Sequence, residues 1–475
     1  MSGTADELCE MDLVEVAEAI RTRKVSAVEV TGACIQRIER LQPTLNCFIS
    51  IEAEEALKAA ERADEEVARG VIRGPLHGVP LAHKDMLYRA GKVTTCGSKI
   101  RKDFVPSYTA TVHARLDAAG ALNLGTLNMS EFAFGPTGHN GHWGHCRNPW
   151  NPDHITGGSS SGSGAAVAGR LVYGALGSDT GGSVRLPAGI CGLAGLKPTQ
   201  GRVSRYGVMP LSFSLDQIGP LTRSVRDCAR IFSVIAGHDP KDPTSSTMPV
   251  DDYEARLSGG VRGMRIGVPT NFFYEDVSDE VRACIEESLR VFRELGAEIV
   301  KVQVPHVDIL DGLSNVIMAS EAATIHGNWL RARPDDYQPQ VRQRIMAGLF
   351  YPATKYLEAL DLRPKVVADV IDAVFASVDV LHAPLLPCPV PRIDETDLGG
   401  SSEAHAAVGS LSRLTRPLNY LGFPGLTVPA GFDGSGLPIA FQLLGRPYAE
   451  ATLLRAGHAY QTATVWHRRV PDHPE

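Results

Sequence analysis

TGGSSSGSGAAVAGRLVYGALGSDTGGSVRLPAGICGLAGLKPTQGRVS, residues 156–204, decides how this chain is read. A Gly/Ser-rich tract would ordinarily be a solvated linker. Here its middle, AAVAGRLVYGALG, is apolar with Arg170 as its one charge, and such a segment wants burial. Of the chain's 47 glycines, 18 fall between Gly135 and Gly207, a stretch of 73 residues, so the excess is local. Glycine in a buried segment points to backbone running where a Cβ would clash or where φ must be positive. Such backbone can bring several amide groups close to one reacting atom.

Outward from this tract the chain reads as ordinary α/β protein. Asp12 with Glu15 and Ser26 with Glu29 have capping-box spacing. The second box opens a helix with Val30, Cys34, Ile38 and Leu41 on one face. Residues 52–69 read as a charged, alanine-rich helix, and GVPLAH at 78–83 as a short strand ending at Lys84. Residues 111–119 read as helix and 121–125 as a buried strand. A strand–helix–strand unit spans 265–268, 278–295 and 298–304, with Gly296 as C-cap. Further strands are expected at 380–384 and 425–429, and a closing helix at 449–462. This alternation, without repeats, predicts one large α/β domain over 1–475. Helices from 1–70 would pack on it, and 239–260 would form a surface loop.

The 475 residues give ample chain for a core, and 47 basic against 54 acidic residues leave a net charge of −7. That balance argues against nucleic-acid or anionic-membrane partners. No apolar run approaches the roughly 18 residues of a membrane helix, and the start, MSGTADELCEMD, does not resemble a signal peptide. Nine scattered cysteines without CxxC fit a reducing cytoplasm. Self-association as a homodimer stays open.

Several constellations could carry chemistry. GSSSG at 158–162 fits G-x-S-x-G with Ser160 as nucleophile, but Ile155-Thr156 is a poor strand and no HGGG-type segment precedes it. No GK[ST] follows for a phosphate loop. His139, His142, His145 and Cys146 crowd one short loop, whereas structural zinc gathers ligands from two separated pairs. A polar loop is the plainer reading, and no metal is expected. A serine–lysine pairing is a further candidate, against a solvated surface lysine and a structural turn at DTGGS. A serine hydroxyl needs a base, and lysine serves only where burial depresses its pKa. Lys84 ends an apolar strand, while Ser183 sits in SDTGGSVR, where small residues can aim amides at an oxyanion.

These pieces occur together and in order, and the sequence resembles the amidase signature hydrolases. GGSSSGSGAAVAGRLVYGALGSDTGGSVRLPAGICGLAGLKPTQGRVS covers nearly the whole family signature, and HGVPLAHKD, SLDQIGPLTRSVRD and GLPIAFQLLGRP look like further family segments. The resemblance runs from about residue 10 to 470. It implies a twisted mixed β-sheet covered by helices on both sides. It also implies Ser183 as nucleophile, Ser159 as a bridging serine after a cis peptide at Gly158–Ser159, and Lys84 as base. Ser159 and Ser183 are 24 residues apart, matching the family spacing. The oxyanion amides fall on Thr180, Gly181, Gly182 and Ser183. Phe134, Gly135 and Thr137 are expected to border the acyl pocket, with Ser160 as a supporting contact. No cofactor is implied.

The expected substrate is a small amide, with aryl amide or carbamate as variants, cleaved by a free-standing amidohydrolase. The competing reading is the A-type glutaminase component of a tRNA-dependent amidotransferase, which works only with partner subunits. That component carries an acid ahead of its P-x-N segment to hold the glutamine amino group. The matching segment here is SLSRLTRPLNYLGFP, residues 410–424, where Ser412 stands near that position. Residues 300–400 carry no legible motif and are expected to shape the entrance.

Overall fold

The computed structural model describes residues 5–397, 399 and 409–472. Eleven strands form one mixed sheet: β1 (Phe48–Ile51), β2 (Pro80–Lys84), β3 (Leu122–Leu127), β4 (Gly174–Asp179), β5 (Ala194–Lys197), β6 (Gln217–Thr222), β7 (Arg265–Pro269), β8 (Glu298–Val302), β9 (Val380–Pro384), β10 (Gly425–Phe432) and β11 (Pro438–Leu444). Their order across the sheet is β1-β3-β2-β4-β6-β5-β10-β11-β9-β7-β8. β2 runs parallel to β3 and β4, and β7 parallel to β8 and β9, while the centre is antiparallel. Helices flank the sheet, so β2, β4, β5, β6, β9 and β11 are buried along their whole length. They therefore read as apolar or small-residue runs rather than as alternating patterns.

Both capping boxes form, at Asp12 ahead of helix Leu13–Arg21 and at Ser26 ahead of Ala27–Leu45. Val30, Cys34, Ile38 and Leu41 are buried as their spacing predicts. The N-terminal region is more than helices, because Phe48–Ile51 pairs with β3 as the edge strand. Its helices are tied down by polar contacts: Tyr173 Oη donates to the Leu8 carbonyl (2.6 Å) and the Val14 amide to Asp227 Oδ1 (3.0 Å). Residues 239–260 are strapped in place rather than hinged. Asp239 accepts from Thr111 and Ser204, and buried Tyr253 accepts from Arg202 Nε at 3.0 Å.

Candidate active site

Parallel pairing of β2 with β4 sets the end of one strand beside the end of the other. Lys84 closes β2, and Ser178 and Asp179 close β4. Lys84 is 1% exposed. Its Nζ donates to Ser159 Oγ at 2.7 Å and to Ser178 Oγ at 2.8 Å. Burial lowers its pKa from 10.5 to about 7, opposed in part by Asp216, Asp179 and Cys96.

Ser159 lies on the turn before helix Ser161–Ala168, and the Gly158–Ser159 peptide is cis. A Cβ at residue 158 would lie 2.4 Å from the Gly135 carbonyl oxygen, which explains the glycine there. The backbone carbonyl of Ser159 accepts from the Ser130 amide (3.1 Å), joining this turn to the 130–136 loop.

Ser183 sits on the turn between β4 and helix Arg185–Ile190, and it lines a cavity of about 440 Å³. Its hydroxyl makes no hydrogen bond among the described residues, so the Lys84–Ser159 link is formed while Ser159–Ser183 is not closed by a hydrogen bond. Asp179 organises the turn. It accepts from the amides of Gly182 (2.8 Å), Val184 (3.2 Å) and Arg185 (3.3 Å), from the Arg185 guanidinium, and from Asn419 Nδ2 (3.0 Å). Burial drives this carboxyl up, but the Arg185 charge and these hydrogen bonds outweigh it and hold the pKa at about 2. Thr180 Oγ1 is held by Asp216 Oδ1 at 2.5 Å.

These contacts set the four expected oxyanion amides apart from one another. The Gly182 amide is already engaged by Asp179, whereas those of Thr180, Gly181 and Ser183 donate no hydrogen bond among the described residues. Gly182 instead supplies the turn, at φ +132°. A Cβ there would meet Thr415 Oγ1 at 2.3 Å, a hydroxyl that itself donates to the Gly181 carbonyl (2.6 Å).

Two expected substrate contacts lie outside the cavity lining. Ser160 is fully buried beneath the site, its Oγ donating to the Ser178 carbonyl (3.3 Å), because the following helix turns it toward β4. Thr137 is buried outside the cavity, and its Oγ1 accepts from the His139 amide (3.4 Å). Phe134 and Gly135 do line the cavity. The histidines each have their own partner: His139 with Thr396 (2.9 Å), His142 with Glu131 (3.0 Å) and His145 with Asp397 (2.9 Å).

The opposite wall comes from the stretch without a motif. Helix Val307–Ala332 contributes Asp311, Asn315 and Met318, and helix Pro339–Ala347 contributes Gln343 and Arg344. Asp311 is ion-paired with Arg416. Arg344 forms no ion pair among the described residues, and its Nη1 donates to the Phe134 carbonyl at 3.3 Å. Burial and the nearby Arg416 charge lower its pKa to about 10, which leaves it cationic at neutral pH. Ser412 also faces the cavity, with no acid of its own to offer. Ser178, Asp179, Asn419 and Arg344 were not singled out in the sequence. The first two stood in SDTGGSVR and Asn419 in the P-x-N segment, whereas Arg344 stood near no legible motif.

The amidase family model matches residues 29–454. The chain belongs to the amidase family. Its chemistry is accordingly the hydrolysis of amide C–N bonds. The A-type component of the Glutamyl-tRNA(Gln) amidotransferase of Geobacter metallireducens is 40% identical over 97% of this chain and 99% of its own length. Among solved structures, one of a vestigial protein complex bearing on the origins of an s-triazine catabolic enzyme is 36% identical, with a TM-score of 0.89 over 95% of this chain and 98% of the other. The peptide amidase of Stenotrophomonas maltophilia is 32% identical, with a TM-score of 0.85 over 98% of both chains. The first of these relatives is one component of an enzyme named for a tRNA, so an acidic net charge does not by itself remove nucleic acid from the setting in which such a chain works. No described helix is long and apolar enough to cross a membrane.

Proposed function

We propose that this amidase cleaves the amide of a small, carboxylate-bearing molecule through an acyl-enzyme on Ser183. The observation that carries the reading is a buried lysine with a depressed pKa, 2.7 Å from Ser159, beneath a cavity onto which Ser183 opens. A neutral amine has two N–H bonds and one lone pair. Ser178 takes one N–H, and on the neutral amine the 2.7 Å contact to Ser159 reverses, the Ser159 hydroxyl donating to the lone pair that then accepts its proton. Ser159 in turn takes the Ser183 proton as Oγ attacks the carbonyl carbon. The amides of Thr180, Gly181 and Ser183 receive the developing oxyanion. Reversal of the relay protonates the departing nitrogen, and water then releases the acid by the same path. Arg344, cationic and without a carboxylate partner, faces the same cavity and suits an anionic end of the substrate.

The glutaminase reading, an A-type component that releases ammonia from glutamine for a tRNA-dependent amidotransferase, is favoured by the relatives at 40% identity over nearly the whole chain. It weighs more than a free-standing aryl amidase or carbamate hydrolase, and glutamine is itself a carboxylate-bearing amide. Against it stands Ser412, where the acid for the amino group is missing. Ammonia release by the chain alone should be compared on glutamine and on a four- or five-carbon monoamide lacking the α-amino group. Preference for glutamine supports the amidotransferase reading, preference for the des-amino amide a free-standing enzyme. Equal turnover of neutral amides refutes the anionic substrate altogether.

A further inference from the structure

Glu131 has no role in the relay, yet its side chain is fully buried against three separate segments. Oε1 accepts from Ser98 Oγ at 2.6 Å and faces His142 Nε2 at 3.0 Å. Oε2 accepts from the backbone amide of Gln338 at 2.8 Å, and Gln338 is the N-cap of the helix that carries Gln343 and Arg344. The histidine-rich loop grips the same helix end, since the Gly141 amide donates to Gln338 Oε1 at 2.8 Å. Next to Glu131, the Phe132 ring packs on Tyr337 with centroids 5.7 Å apart, and the Phe134 carbonyl accepts from Arg344 itself. The segment 131–134 therefore touches this helix at its start and at its arginine, while Ala133, Phe134 and Gly135 form the facing cavity wall.

We propose that Glu131, with His142, is a positioning residue that sets the enzyme's preference for anionic amides by fixing Arg344 against the acyl wall. This rests on the reading of Arg344 as the anion contact. Among the described residues the Glu131 carboxylate bonds only to Ser98, His142 and Gln338 and not to Ser183, Ser159 or Lys84, so the clamp acts on where the substrate's charged end sits rather than on the proton relay. The HNGHWGHC loop then serves as a brace between two pocket walls, which gives its histidines work without a metal.

The test is a double-mutant cycle of Glu131→Ala and Arg344→Ala, assayed on a carboxylate-bearing amide and on a neutral amide of the same length. Glu131→Ala should raise KM for the anionic amide about tenfold, with kcat and the neutral amide's KM little changed. In the Arg344→Ala background it should add nothing. Should Glu131→Ala fail to fold, His142→Ala, which loosens the same carboxylate from the loop side, should give the same split in smaller measure. A loss shared equally by both substrates, or effects that add, overturns the proposal while leaving Arg344 intact as the anion contact. Arg344→Ala without loss of anionic preference overturns the Arg344 reading, and the clamp with it.

Discussion

Lys84→Met tests the premise on which the proposed relay depends, that this lysine is neutral when folded near pH 7. Burial takes its pKa from 10.5 to about 7. Between those values the unfolded chain holds a proton that the folded protein has released, so wild-type stability falls as pH drops across that window and rises as pH climbs. At and below about pH 7 both states hold the proton, and the penalty for burying the amine is at its full, constant size. Each pH unit inside the window shifts stability by about 1.4 kcal/mol, or about 3 kcal/mol between about pH 7 and 9.5. Losing the contacts to Ser159 and Ser178 removes about 1 kcal/mol each, but that offset does not vary with pH. Urea unfolding of both proteins across the window gives the wild-type-minus-variant difference, in which all other titrating groups cancel. It should climb by about 3 kcal/mol toward the alkaline end, and a flat difference refutes a neutral Lys84. The same variant should lose turnover by about 10²–10⁴-fold, while wild-type kcat/KM should rise with pH through about 7 and level off above.

Ser183→Ala should bring turnover to background with an unchanged circular dichroism spectrum and Tm; substantial remaining hydrolysis would sink its assignment as nucleophile. Gly182→Ala forces a Cβ to 2.3 Å from Thr415 Oγ1 at a φ of +132°. It should lower kcat by about 10²–10³-fold through the displaced amides of Gly181 and Ser183, and wild-type kcat in that variant would refute the proposed oxyanion set. Arg344→Ala should raise KM for a carboxylate-bearing amide by about 10–100-fold, the usual worth of a hydrogen bond to a charged group. A matching rise for a neutral amide counts against it.

What the sequence discloses follows the range of the interactions. Capping boxes at Asp12 and Ser26 and the buried strand before Lys84 are local and appear where their spacing places them, while Gly296 falls one residue beyond the C-cap, Leu295, at φ +90°. The edge strand Phe48–Ile51 is four residues long, too short for a period to register. Helix Val307–Ala332 is packed on several sides, which erases the single apolar stripe that would have announced it. Arg344 meets Phe134 across 210 residues and Asn419 meets Asp179 across 240, pairings that no local pattern encodes. Ser160 and Thr137 stand apart from the cavity lining for a related reason. Both sit within two residues of groups that bear on the site, but helix and loop geometry turns them into the protein.

Two of the buried basic side chains beneath the site, Arg185 and Lys84, have opposite fates, and the difference explains its construction. Arg185 presents a planar guanidinium with five donors. It is therefore matched by Asp179 and further satisfied by Gln442 (3.1 Å) and Asn419 (2.8 Å). That pair remains ionised and fixes the turn beneath Ser183. Among the described residues Lys84 is offered only hydroxyl partners, Ser159 and Ser178, with the carboxylates of Asp179 and Asp216 committed elsewhere. A carboxylate bonded directly to its Nζ would favour the charged form and remove the base. Placing the acids beyond direct contact lets them moderate the cost of burial while leaving the amine able to lose its proton near neutrality. The glycines at 158 and 182 are what allow such close packing: each admits a backbone or hydroxyl oxygen closer than 2.5 Å to where a Cβ would stand.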